Sequence, residues 1–165
     1  VAGRRILFTT TNGARALQHV REARRVLVGA AINASAVARA VELDADVAVL
    51  GAGTDGVLAM EDLIAGGVII DAMIRRSDGW SLNRSATAML EHWQGLRDGV
   101  AAGASLIEVF AADIQSTDGA RNLISIGQEA DIARCCQVDA LARVPELDAA
   151  ANELRPAVAA CRPPG

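Results

Sequence analysis

Three short apolar runs constrain this chain more than any other feature. Residues 5–9 (RILFT), 25–29 (RVLVG) and 46–50 (DVAVL) are each of strand length. Each runs into a polar turn bearing Gly or Asn, and a helical pattern follows. After residues 5–9 comes TTNG and a helix from residue 14 to 20. After residues 25–29, Asn33 caps a helix over 34–43, with Val37, Ala40 and Val41 on one face. Strands alternating with helices at this spacing require right-handed crossovers and predict an α/β fold on a largely parallel sheet.

The second half reads as more helical. Residues 58–75 are either one helix bent at Gly66 and Gly67, or a helix followed by a strand. Residues 85–97 carry Met89, Leu90, Trp93 and Leu96 on one face, and 101–111, 118–127 and 130–136 are further helices. Val144 and Pro145 leave regular structure, and residues 149–165 form an Ala/Pro-rich tail that frays. A single domain over 1–148 follows. A covered sheet of three strands would be small, so later segments add strands or an upstream portion is absent.

Composition sharpens the picture. Hydrophobic residues make up 52% of the 165, but aromatics only 2%, so the core must be built from Ala, Val, Leu and Ile. The net charge is −4, every basic residue is Arg, and no basic stripe for nucleic acid appears. No apolar run approaches the ~20 residues of a membrane span, and VAGRR opens no signal peptide. A soluble cytoplasmic protein is expected. Cys135, Cys136 and Cys161 form no C-x-x-C and read as free thiols, with Arg134 the one feature that could activate Cys135.

Residues 51–56 (GAGTDG) match G-x-G-x-x-G, and 67–71 (GVIID) would be a second strand ending in Asp71, which outlines a dinucleotide unit. Against it, residues 57–65 are short for that unit's helix and two strands come earlier. Glu61 and Asp62 also stand at the helix start, where a pyrophosphate would dock. Three readings stay open: carboxylates that simply favour a helix start, a Mg²⁺-bridged phosphate site, and a dinucleotide site. The loop with Thr10, Thr11, Asn12, Gly13 and Arg15, and the loop around Asn33, have the same strand-to-helix logic. On a parallel sheet they would gather with Gly53, Thr54, Asp55, Glu61 and Asp62 at one rim suited to a small anion. His19 and His92 lie elsewhere, at surface or boundary positions. Neither G-x-S-x-G nor H-E-x-x-H occurs.

With these loops in hand, four stretches stand out: TTNGARAL (10–17), LVGAAINASAVARA (27–40), VAVLGAGTDGVLAMEDLIAGGVIIDAM (47–73) and GARNLISIGQEADIARCCQVDALARVPEL (119–147). Together they resemble the 2-phosphosulfolactate phosphatase family. The resemblance implies a three-layer α/β/α fold with a central mixed sheet. It implies Mg²⁺-dependent hydrolysis of 2-phosphosulfolactate, a small anionic phosphoester on the route to coenzyme M. Glu61 and Asp62 would then hold the metal. Thr10, Thr11, Asn12, Gly13, Asn33, Gly53 and Thr54 would form the substrate rim, and Arg15 or Arg121 would neutralise the sulfonate or carboxylate. Asp55 would activate water, and Glu61 would share the catalysis. Two departures stand beside this. The family carries an upstream D-V-L-R-A-T-like segment that these residues do not include, and residues 82–86 (LNRSA) lack an expected acidic residue. A non-catalytic anion-binding domain is therefore the alternative, with a dinucleotide oxidoreductase third. A homo-oligomer is compatible with all three.

Overall fold

The computed structural model describes residues 3–43, 45–100 and 103–157. Seven α-helices are found there: α1 (Asn12–His19), α2 (Ala34–Ala40), α3 (Met60–Arg76), α4 (Arg84–Asp98), α5 (Leu106–Ile114), α6 (Asp118–Ser125) and α7 (Ala130–Cys135). A short 3₁₀ turn (Ala31–Asn33) precedes α2, and two strands, β1 (Pro145–Asp148) and β2 (Glu153–Pro156), close the described chain.

Helix α3 is the axis of the molecule. Ile64, Val68, Ile69, Ile70 and Met73 are buried along it, between α2 on one side and α4 on the other. The acidic residues Glu61 and Asp62 stand in its first turn and Arg75 and Arg76 in its last, both favoured by the helix dipole. Arg76 donates from Nη1 to the carbonyls of Ala38 and Val41, both at 2.8 Å, and so satisfies the C-terminal end of α2. Asn83, Ser105 and Thr117 each accept a backbone N–H from the first turn of the helix they precede, which sets where α4, α5 and α6 begin. Ser105 and Glu108 form a capping box, so α5 starts at Leu106 rather than at 101. Residues 101–102 lie outside the described residues.

Gly66 and Gly67 do not break α3. They let α4 approach it: a Cβ on Gly67 would stand 2.2 Å from the Met89 carbonyl oxygen and 2.8 Å from the Trp93 Cβ. The expected strand over 67–71 is therefore helix. Asp71 is buried in mid-helix, accepting from Trp93 Nε1 at 3.1 Å and from Arg97 Nη1 at 3.1 Å, with Arg75 a turn away at 3.1 Å. Trp93 packs on Phe110 with ring centroids 6.2 Å apart, so the two buried aromatics join α4 to α5 in a core otherwise of Ala, Val and Ile with Met73 and Cys136.

The chain is mixed α/β, and no largely parallel central sheet is present among the described residues. Among the described residues the sheet is the antiparallel hairpin β1–β2, with Glu146 opposite Arg155. Residues 25–29 join it through a single antiparallel bridge, Leu27 to Glu146, flanked by Val28 N–H to Pro145 O and Leu147 N–H to Val26 O. Residues 5–9 and 46–50 are not strands, and neither run makes a backbone–backbone hydrogen bond among the described residues. Conversely, residues 144–157 do not leave regular structure. Pro145 and Pro156 end the two strands, where a missing N–H is tolerated, and the Ala157 N–H returns to Val144 O at 2.8 Å. The expected boundary at 148 thus falls inside a hairpin, and 158–165 lie outside the described residues.

Asn33, expected at the rim, is buried. Its Oδ1 accepts from the Ala30 N–H at 2.8 Å, and its Nδ2 donates to Val28 O at 3.2 Å and Arg143 O at 3.0 Å. It ties the 28–33 turn to the segment before β1. Asn33→Ala should cost about 1–3 kcal/mol, because three backbone groups in part-buried hydrogen bonds lose their partner at once. A urea midpoint unchanged from the native chain would contradict this role.

Candidate functional site

The glycine loop folds back on itself. Thr54 and Val57 exchange both backbone hydrogen bonds at 2.9 Å, and the two residues between them, Asp55 (φ 51°) and Gly56 (φ 82°), are both left-handed. That is the two-residue turn for which Asp-Gly is a preferred sequence. Gly53 enters it at φ 67°, and a Cβ there would meet the Val57 carbonyl oxygen at 2.6 Å. Helix α3 starts only at Met60. A dinucleotide loop opens directly into its helix so that the N–H groups reach the pyrophosphate, and here they do not. With Asp71 buried inside α3, both features that suggested a dinucleotide site are explained otherwise.

The turn is pinned at two points. Asp62 Oδ2 accepts the Gly53 N–H at 2.6 Å, and a Cβ on Gly51 would stand 3.0 Å from the Asp62 Cβ. Asn12 Oδ1 accepts the Asp55 N–H at 3.4 Å. This second contact joins the first polar loop of the chain to the third, 43 residues later. Thr10 supports it from behind: its Oγ1 accepts the Ala14 N–H at 3.1 Å and fixes the first turn of α1. Gly13 leaves room for that hydroxyl, since a Cβ there would lie 2.9 Å from Thr10 Oγ1. Thr11 and Arg15 are exposed, and Arg15 has no ion-pair partner among the described residues.

Glu61 points elsewhere. A Cβ on Gly119 would stand 2.4 Å from Glu61 Oε1, so the carboxylate rests on the second residue of α6. Its other oxygen, Oε2, is buried without a hydrogen-bond partner. The first turns of three helices are thus linked in series: α1 through Asn12 to the Asp55 turn, that turn through Gly53 to Asp62 of α3, and α3 through Glu61 to Gly119 of α6. Helix N-termini carry unpaired N–H groups and partial positive charge, so their convergence suits an anion. Nothing in the sequence marked Gly119 beyond the S-T-D-G cap pattern ahead of α6. Arg121 lies two residues further along the same first turn, donating to the Ser116 carbonyl and to Asp118 Oδ1.

The loop at residues 29–35 does not join this group. Besides the buried Asn33, the start of α2 already holds a carboxylate: Asp139 Oδ1 accepts from the Ser35 N–H at 2.6 Å and Oδ2 from its hydroxyl at 2.5 Å. Asn83, where an acidic residue was expected nearby, is the cap of α4.

A family model described as 2-phosphosulpholactate phosphatase matches residues 1–150. The chain belongs to that family. Similar proteins named probable 2-phosphosulfolactate phosphatase include one from Clostridium acetobutylicum, 31% identical over 88% of this chain and 58% of its own length. One from Gloeobacter violaceus is 30% identical over 91% of this chain and 58% of its length. A third, from Thermosynechococcus vestitus, is 34% identical over 88% and 58%. The chain therefore spans a little over half the length of these relatives.

Two other sequence features stay outside the site. His92 Nε2 lies 3.2 Å from Asp113 Oδ2, joining α4 to α5 at a half-buried boundary. Burial raises both described thiols above the ordinary value, Cys136 to about 11, and the Asp131 charge adds to the rise at Cys135. A raised thiol holds less thiolate at neutral pH, so neither is an activated nucleophile. Alkylation at about pH 8 should therefore label Cys135 slowly and Cys136 only after unfolding. Rapid labelling of Cys136 in the folded chain, read by peptide mass, would contradict this burial. Cys161 lies outside the described residues. No helix among the described residues is long and apolar enough to cross a membrane.

Proposed function

We propose that the junction of the α1, α3 and α6 first turns binds a small acidic phosphoester and that hydrolysis of the phosphate ester takes place there, with 2-phosphosulfolactate as the substrate. The observation that carries this reading is the Asn12–Asp55 contact, which brings the T-T-N-G and G-T-D-G loops into one site in a chain that belongs to this family. A phosphate, a sulfonate and a carboxylate on one small molecule need several N–H donors and cations. The helix starts offer the donors, and Arg15, exposed on α1, and Arg121, on the first turn of α6, offer the guanidinium groups.

A divalent cation fits the donor set. Glu61 Oε2 is a buried carboxylate oxygen with no hydrogen-bond donor, and Asp62 uses only Oδ2 on the Gly53 N–H. Among the described residues no group of three or more His, Cys, Asp or Glu forms a cage. Mg²⁺ takes one or two carboxylates and leaves its remaining positions to water and phosphate, so Glu61 and Asp62 are the residues that would hold it. When bound, it would offset the negative charge of the phosphoryl oxygens. Asp62 in addition holds the turn in place, Asn12 orients its tip, and the exposed Asp55 carboxylate accepts a proton from the attacking water.

Phosphate release from 2-phosphosulfolactate, with and without Mg²⁺, tests the reading. Asn12→Ala should raise KM about tenfold with a smaller effect on kcat, because it loosens the turn without touching the carboxylates. Residues 82–86 supply no carboxylate, with Asn83 capping α4, which favours one second reading, a domain that binds the ester without hydrolysing it. Calorimetric binding of the ester without phosphate release would select that reading. Neither binding nor release would overturn both.

A further inference from the structure

After proline, glycine is the residue least suited to a helix, and its usual uses are a left-handed backbone or a close approach. Gly119 is the second residue of α6, and its φ is not left-handed. Gly51, in the loop ahead of the Asp-Gly turn, is not left-handed either. Space is what these two positions require. Among the described glycines, they are the ones at which an added Cβ would meet a carboxylate oxygen. The carboxylates are those of Glu61 and Asp62. At Gly119 the Cβ would run into Glu61 Oε1, and at Gly51 it would stand 3.0 Å from Asp62 Cβ and 3.3 Å from Asp62 Oδ2.

We infer that Gly119 and Gly51 are positioning residues: each is the seat of one carboxylate, and together they set where Glu61 and Asp62 stand at the junction of the helix starts. This role rests on the reading of those two side chains as holders of a divalent cation. Mg²⁺ demands near-ideal octahedral geometry, so it tolerates little error in where its carboxylate oxygens lie. Residues one contact behind a metal ligand change affinity by about 10–100-fold when they are altered.

The two seats differ in what a methyl group would push. Glu61 Oε1 is the far end of a flexible side chain. The backbone facing it is held. The Thr117 N–H donates to Ile114 O at 2.9 Å, Thr117 Oγ1 accepts the Ala120 N–H at 3.2 Å, and Ala120 is buried in the core. The carboxylate therefore gives way and the helix does not. Its partner oxygen, Oε2, has no hydrogen bond to hold it back. At Gly51 the nearest atom is Asp62 Cβ, the root of its side chain, so a methyl there must shift the loop or the first turn of α3. Gly119→Ala is thus the substitution that displaces one oxygen and leaves the fold in place.

Calorimetric Mg²⁺ affinity and the urea midpoint of the 165-residue chain provide the test. Gly119→Ala should weaken Mg²⁺ binding about tenfold or more. Its urea midpoint should stay at or above the native one, because alanine suits a helix better than glycine. Gly95→Ala, with open space around the new Cβ, should leave the affinity unchanged. Glu61→Asp is shorter by one methylene. It should weaken binding in the native chain, yet strengthen it at least about threefold in the Gly119→Ala chain, where it restores the missing room. Losses that simply add in the double variant would overturn the inference. Native affinity in Gly119→Ala, in a chain that does bind Mg²⁺, would remove this role and leave the metal reading standing. A native chain that binds no Mg²⁺ would overturn both.

Discussion

Gly67→Ala is expected to destabilise the chain by about 3 kcal/mol or more, a large share of an ordinary domain's stability of about 5–15 kcal/mol. The added methyl would lie 2.2 Å from the Met89 carbonyl oxygen, which is backbone and cannot rotate away. Relief requires α4 to move off α3. That would loosen Trp93 from its Asp71 partner and from Phe110 together. Gly66→Ala should cost less, since its nearest neighbour is the flexible Met89 sulfur at 3.0 Å. Gly95→Ala, in α4 with nothing within 4 Å of the new Cβ, should instead stabilise by about 0.5–1 kcal/mol through helix propensity. Urea unfolding followed by circular dichroism measures all three. A Gly67→Ala chain as stable as the native one would show that the two helices are not in backbone contact.

Glu61→Gln is expected to lower Mg²⁺-dependent phosphate release at least about 100-fold while the fold survives. The fold should survive because Oε2 makes no hydrogen bond in the native structure, so no stabilising contact is lost. Release should fall because the amide keeps the shape but not the charge that a divalent ion requires. Calorimetry with Mg²⁺ gives a reading independent of turnover, and the variant should show no heat of binding where the native chain does. Asp62→Asn should behave differently. Asn can still accept the Gly53 N–H, so the main effect should be weaker ion binding with the turn retained. Native-like turnover and Mg²⁺ binding by Glu61→Gln would remove Glu61 from the metal role.

Much of the local structure was legible in the sequence. The starts of α4 and α6 fall within about one residue of the expected 85 and 118, while the Ser105 cap was not read and α5 starts at Leu106 rather than 101. Gly127 ends the last turn beyond α6 at φ 74°, with the Gln128 N–H returning to Leu123 O. The face of α4 with Met89, Leu90, Trp93 and Leu96 was readable because helical period alone places those residues together. The β1–β2 hairpin was not readable. Its strands are four residues each, the first opening on Pro145 and the second closing on Pro156, and a four-residue run carries too little periodicity to separate it from a loop.

The sequence by itself determined the helices, the Asp-Gly turn and the polar loops, because caps, turn residues and apolar spacing act over a few residues of chain. Only the tertiary structure decided which loops meet. Asn12 reaches Asp55 while the equally polar Asn33 is buried as a tie between backbone segments. Neighbouring carboxylates part in the same way, Asp62 turning to the glycine loop and Glu61 to α6. Such choices depend on how α3 sits between α2 and α4, and that follows from packing among residues far apart in the chain. For the same reason residues 5–9 and 46–50 have no strand partner among the described residues and residues 25–29 keep a single bridge to β1: strand propensity is local, but a strand exists only where a neighbour supplies the other half of its hydrogen bonds.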